Sequence, residues 1–199
     1  MSTDALLRPA HPLRLCWWIF AVRGGLAAIF AIVLFLASSF LGIFFFDPVT
    51  LVYMSLLLGS FVLGNGLLLG VAAGFGLEHH LHFWWVQACE AGFAVLLGVY
   101  IGVSLVLTPQ SLAFLAGIHG VGVGVFQVML ALKLRDDRSD LALLMFAGIV
   151  SLIVGILFLD HAHQAARATT QALSAFELFC GLIWGTLSLR LRSGTPSYT

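Results

Sequence analysis

Charge is what this chain has least of. Only 9% of its 199 residues are Asp, Glu, Lys or Arg, against about 25% in an average soluble domain. That shortfall excludes a soluble globular protein. Nine basic residues balance nine acidic ones, so no net field points to nucleic acid or to an acidic partner. Cysteine is scarce as well. Cys16, Cys89 and Cys180 are widely spaced, in or beside apolar runs, and each reads as a small buried hydrophobe outside any disulfide framework. Catalytic signatures are missing: there is no GxSxG, P-loop, HExxH or CxxC, and single serines in apolar runs have no base beside them. No enzymatic activity and no cofactor is expected.

What the chain has in excess is apolar length. Hydrophobic residues make up 61% of it, glycines number 21, and the mean hydropathy is +1.07. The stretch Trp17–Leu36, WWIFAVRGGLAAIFAIVLFL, is broken by a single charge, Arg23, and matches the roughly 20 residues a helix needs to cross a bilayer core. Five more runs of this kind follow, giving spans at about 15–37, 49–74, 83–106, 109–132, 140–159 and 170–189. The first 14 residues are too polar and proline-broken for a signal h-region, and the run after them is too long and lacks an A-x-A site, so the first span is expected to be retained. The fold expected is all-α: a single six-helix transmembrane domain over 15–193, with polar ends at 1–14 and 194–199. High glycine suits close helix packing inside a membrane.

Orientation follows from the basic residues beside the spans. With six spans, Arg8, Arg14, Lys133, Arg135, Arg138, Arg190 and Arg192 all fall on one side, and only Arg167 on the other. Both termini are therefore expected to be cytoplasmic.

The chain also repeats itself. Aligning Trp17–Trp18 with Trp84–Trp85 pairs Arg23 with Glu90 and Gly25 with Gly92; aligning Pro48 with Pro109 pairs Gly59 with Gly120; aligning Lys133–Arg135 with Arg190–Arg192 pairs Gly124 with Gly181. Three tandem helical hairpins, about 15–75, 83–135 and 140–192, are expected to pack with pseudo-threefold character, since two spans return the chain to its starting side. The W-W-x4-R-G pattern at Trp17–Gly24, Asp47–Pro48 opening the second span, and the triple two-span repeat resemble the HdeD-type acid-resistance membrane protein family. The third unit departs from that pattern, with Ala147 at the charged position and no proline opening its last span. The resemblance implies a small non-enzymatic bacterial inner-membrane protein linked to acid stress.

Polar residues inside the spans are the candidate functional set. Arg23 and Glu90 lie at nearly equal depth, roughly 10–14 Å in, and are expected to pair, since an isolated charge there costs roughly 2.5–3.5 kcal/mol. Glu177 sits near mid-membrane with glycines at its aligned positions, and His119 aligns one position before it; contact between them offers a proton relay or pH sensor. Asn65 and Gln127 read as interhelical hydrogen-bond partners, and Gly120 and Gly124 as a small-residue packing face. Glu78, His79, His80 and His82 crowd one loop, and His161 and His163 another, as candidate metal ligands or pH-responsive groups. Neither loop offers a tetrahedral structural zinc set. Three functions remain open. They are a stress protein acting through a homo-oligomer or other membrane proteins, a proton or solute channel lined by Arg23, Glu90, His119 and Glu177, and an accessory subunit of a larger membrane complex.

Overall fold

The computed structural model describes residues 17–40, 48–104, 108–133, 138–160 and 166–193. Over these the chain forms six helices: α1 Trp17–Phe40, α2 Pro48–Glu78, α3 Trp84–Val103, α4 Pro109–Lys133, α5 Arg138–Asp160 and α6 Ala166–Ser193. Each is long and apolar enough to cross a membrane, as expected. The end segments 1–14 and 194–199 lie outside the described residues.

Local chemistry sets the start of α4 and the turn that follows α2. Thr108 opens α4 as its N-cap: the Ser111 amide donates to Thr108 Oγ1 at 3.2 Å, and the Thr108 amide donates to Ser111 Oγ at 2.8 Å. Pro109 follows at the first helical position, where its missing N–H costs nothing. At the other end of the bundle α2 closes with a Schellman arrangement. The Leu81 amide donates to the Gly76 carbonyl at 2.8 Å and the His80 amide to Leu77 at 3.1 Å. His80 takes the left-handed position, φ 52°, where glycine is usual.

Hydropathy partitions in the membrane sense. Large apolar side chains such as Leu96, Val103, Ile29 and Leu182 are exposed, while Arg23, Asn65, Gln87, Glu90, His119, Gln127 and Glu177 are buried. Lipid solvates the first set and protein shields the second. The bundle is therefore a multi-pass membrane domain in contact with the bilayer.

Consecutive helices of each repeat unit touch, but the closest packing runs between units: α2 with α3, α4 with α5, and α6 with α1, closing a ring. Glycine makes these three seams. In the first, a Cβ added at Gly98 would lie 2.5 Å from the Leu63 amide nitrogen, and one at Gly66 would lie 2.8 Å from that of Val95. In the second, a Cβ at Gly155 would lie 2.5 Å from the Val121 nitrogen, and one at Gly124 would lie 2.7 Å from that of Leu152. In the third, one at Gly181 would lie 2.9 Å from the Gly24 carbonyl oxygen. Backbones approach this closely only where side chains are absent. Gly120 and Gly124 do form a packing face, seated on Gly155 and Gly148.

These contacts also reset one register. Gly59, Leu63 and Gly66 occupy the places of Gly117, Val121 and Gly124, an offset of 58 and not the 61 obtained by aligning Pro48 with Pro109. The reason is that α2 begins about one turn further out than α4; α2 has 31 residues against 25.

Candidate functional site

The repeat places residues 23, 90 and 147 at equivalent points on α1, α3 and α5, and all three are buried: Arg23 4%, Glu90 1% and Ala147 1% exposed. Two of them bond. Arg23 Nη2 donates to Glu90 Oε1 at 2.6 Å, as the matched depths and opposite charges predict. On its other side the guanidinium lies 3.9 Å from the centroid of the Trp184 ring. One cation thus ties α1 to α3 by a charge-assisted hydrogen bond and to α6 by a cation–π contact. The bond is single, not forked, and Arg23 Nε has no partner. Trp184 was not foreseen. Its signal is its alignment with Gln127, 57 residues earlier, itself a buried interior position.

His119 and Glu177 lie deeper. Gly120 rests on Gly155, which occupies in α5 the place of Ala31 in α1, about 12 Å along the helix from Arg23. Glu177 is at the same level on α6, one turn beyond the Gly181 crossing with Ala28. Both are buried, at 6% and 4% exposure, and both lie within electrostatic range of Arg23. They do not form the expected relay contact: His119 Nε2 has no partner, and its ring instead stands edge-on to Phe61 at 6.3 Å. Phe61 in turn stacks on Phe30 at 4.0 Å, so the ring beside the imidazole is apolar and is backed by a second one.

The expected interhelical hydrogen bonds of Asn65 and Gln127 are not made. Both amide atoms of each are buried without a partner, as is Gln87 Oε1. The cause is the company they keep. Gln127 shares its face of α4 with Val123, Leu130 and Ala131, which pack in a cluster with Leu144, Trp184 and Leu187. Asn65 follows Val62, which packs among Phe30, Leu58 and Ala94. Such faces present few donors or acceptors. Gln87 was also unforeseen, although its place one turn before Glu90 puts it on the same buried face.

Glu78, His79, His80 and His82 are exposed at the end of α2 and in the turn after it. His79 packs against Phe75 at 4.2 Å and His82 against Phe83 at 5.9 Å, and His80 is the helix cap. No group of three or more metal-ligating side chains occurs among the described residues. His161 and His163 lie outside those residues, as do the side chains of Arg8, Arg14, Arg135, Arg138 and Arg167 and the Asp47 half of the Asp47–Pro48 motif.

Among the described residues two cavities flank this interior, and none of Arg23, Glu90, His119 and Glu177 lines either. One, of about 50 Å³, sits among Phe30, Leu34, Met54, Leu112 and Leu173. The other, of about 350 Å³, lies between α1 and α6. The arrangement can hold helices together through charge, and it keeps two titratable groups, His119 and Glu177, in the buried interior. No family model, curated protein or solved structure matches the chain.

Proposed function

We propose that this chain is a non-enzymatic bacterial inner-membrane protein of the acid-stress type, with both termini in the cytoplasm. It acts through contacts of its bundle with copies of itself or with other membrane proteins. The observation that carries this reading is the Arg23–Glu90–Trp184 contact set: the strongest charges in the interior are spent on each other and on an indole, joining three helices. A charge pair closed off in this way favours a structural framework over a pore. The resemblance of Trp17–Gly24 and of the triple repeat to the HdeD-type family supports the acid-stress assignment. The orientation rests on seven of nine basic residues lying on one side. Cation–π contacts on that same face support it: Arg192 lies 5.2 Å from the Trp17 ring and Lys133 lies 5.9 Å from the Trp85 ring. Basic residues snorkelling against interfacial indoles are what a cytoplasmic boundary selects.

The test has two arms. Purified protein in liposomes should pass no protons or small solutes above empty liposomes between about pH 4 and 7, the range over which histidine and buried carboxyls change charge. A bacterial host lacking the chain should survive acid challenge less well, and the wild type should restore survival. A second reading, a proton path, is favoured by the orphaned buried atoms of His119, Asn65 and Gln127, which water can bridge. Flux that rises on acidification and disappears in Glu177→Gln would replace the first reading with the second.

A further inference from the structure

The register set by the glycine contacts stacks three layers of equivalent residues where α2, α4 and α6 come together. Equivalents lie 58 residues apart from α2 to α4 and 57 apart from α4 to α6, and α4 touches both of the other helices. Nearest the end opposite the termini are Leu58, Ala116 and Leu173. Next come Phe61, His119 and Phe176, and one turn further are Asn65, Val123 and Cys180. The first layer lines the cavity of about 50 Å³, together with Phe30 and Leu34 of α1. Among the described residues that cavity reaches Leu51, Pro109 and Thr170, close to the starts of α2, α4 and α6.

The second layer consists of rings. The His119 imidazole stands edge-on to Phe61 at 6.3 Å, and Phe30 stacks on Phe61 at 4.0 Å. Among the described residues Phe61 alone packs against both large hydrophobic clusters: the outer one of Phe30, Leu58 and Ala116, and the inner one of Val123, Cys180 and Trp184. It therefore stands between the cavity and the interior. The two sides differ in chemistry. The cavity exceeds the roughly 10–15 Å³ that one water needs, but apolar walls offer water no hydrogen bonds, and such spaces stay dry. Beyond the rings both amide atoms of Asn65 lack partners, as does His119 Nε2 within the ring layer, so water arriving there would gain hydrogen bonds. An apolar constriction is what keeps it out.

We propose that Phe61, His119 and Phe176, with Phe30 behind Phe61, form a collar that closes the bundle between the end cavity and the layer of Asn65, Val123 and Cys180. Removing the Phe61 ring joins the cavity to that layer and makes Cys180 reachable from water. The collar rests on the framework reading above, to which it supplies the seal.

Cys180 is a built-in reporter, buried and one turn beyond Phe176. The full chain, with Cys16 and Cys89 changed to Ala, is placed in nanodiscs and exposed to silver nitrate in chloride-free buffer. Silver ion is small and takes the place of the proton on any thiol it reaches. Thiols still free are then counted with maleimide after unfolding in detergent, by intact mass. With the collar intact Cys180 is expected to stay free. In Phe61→Ala it should be silver-bound, and adding Ala113→Phe, which refills the cavity, should protect it again. Phe61→Val removes the ring but keeps a branched side chain in the packing, so the test stays decisive if Phe61→Ala folds poorly. Three results overturn the proposal: Cys180 reacting with the collar intact, Cys180 protected in both Phe61 variants, or equal reaction with and without Ala113→Phe, which would place the route elsewhere. Proton flux into liposomes separates the two readings. A wild type that passes protons sinks the framework reading, whereas a tight wild type with any of those three results sinks the collar alone.

Discussion

Removing the Glu90 carboxylate is the sharpest perturbation the interior offers. In Glu90→Gln the side chain keeps its size, and Arg23 keeps its place 3.9 Å over Trp184, but the 2.6 Å bond loses its charge. Breaking a buried pair by neutralising one member costs about 3–5 kcal/mol. The lone cation it leaves carries an insertion cost of roughly 2.5–3.5 kcal/mol. A desolvated cation–π contact returns about 2 kcal/mol, and since Trp184 still supplies it, the low end applies. The expected loss is about 3 kcal/mol, a factor of about 150 in the folded-to-unfolded ratio. Replacing both members, Arg23→Met with Glu90→Met, removes the charges together and should return stability to wild type or above. The assay is reversible unfolding in mixed micelles titrated with denaturing detergent, run as a double-mutant cycle. A double variant as unstable as the sum of its singles would refute the pairing. A charge swap supplies an independent check: Arg23→Glu with Glu90→Arg should express better than either single change.

Three further outcomes follow from the packing. Gly98→Ala should destabilise by about 1–3 kcal/mol through overpacking, because its methyl would meet the Leu63 nitrogen at 2.5 Å; Gly64→Ala, with nothing within 4 Å, should be neutral or slightly stabilising, and thermal aggregation followed by size exclusion separates the two. Gln127→Met should stabilise, since each orphaned amide atom costs about 1–3 kcal/mol; a loss in the same micelle titration would show that a bridging water holds the amide. His80→Gly should gain about 1 kcal/mol by relieving a left-handed backbone at φ 52°. A fall in stability there would mean the imidazole makes contacts that outweigh the strain.

What the sequence by itself determined is everything governed by transfer from water to hydrocarbon. That cost depends on residue identity along the chain, so the six spans could be read directly. The Arg23–Glu90 pair could be read too, because a charge at that depth requires a partner and the repeat puts the opposite charge at the same depth. What only the tertiary structure decided is lateral. Lipid and bundle interior are both largely apolar, so only a few scattered polar residues, and no continuous stripe, mark the face that turns inward. The one-turn slip of α2, the indole over Arg23, the missing partners of Asn65 and Gln127, and the separation of His119 from Glu177 all depend on helix rotation and crossing.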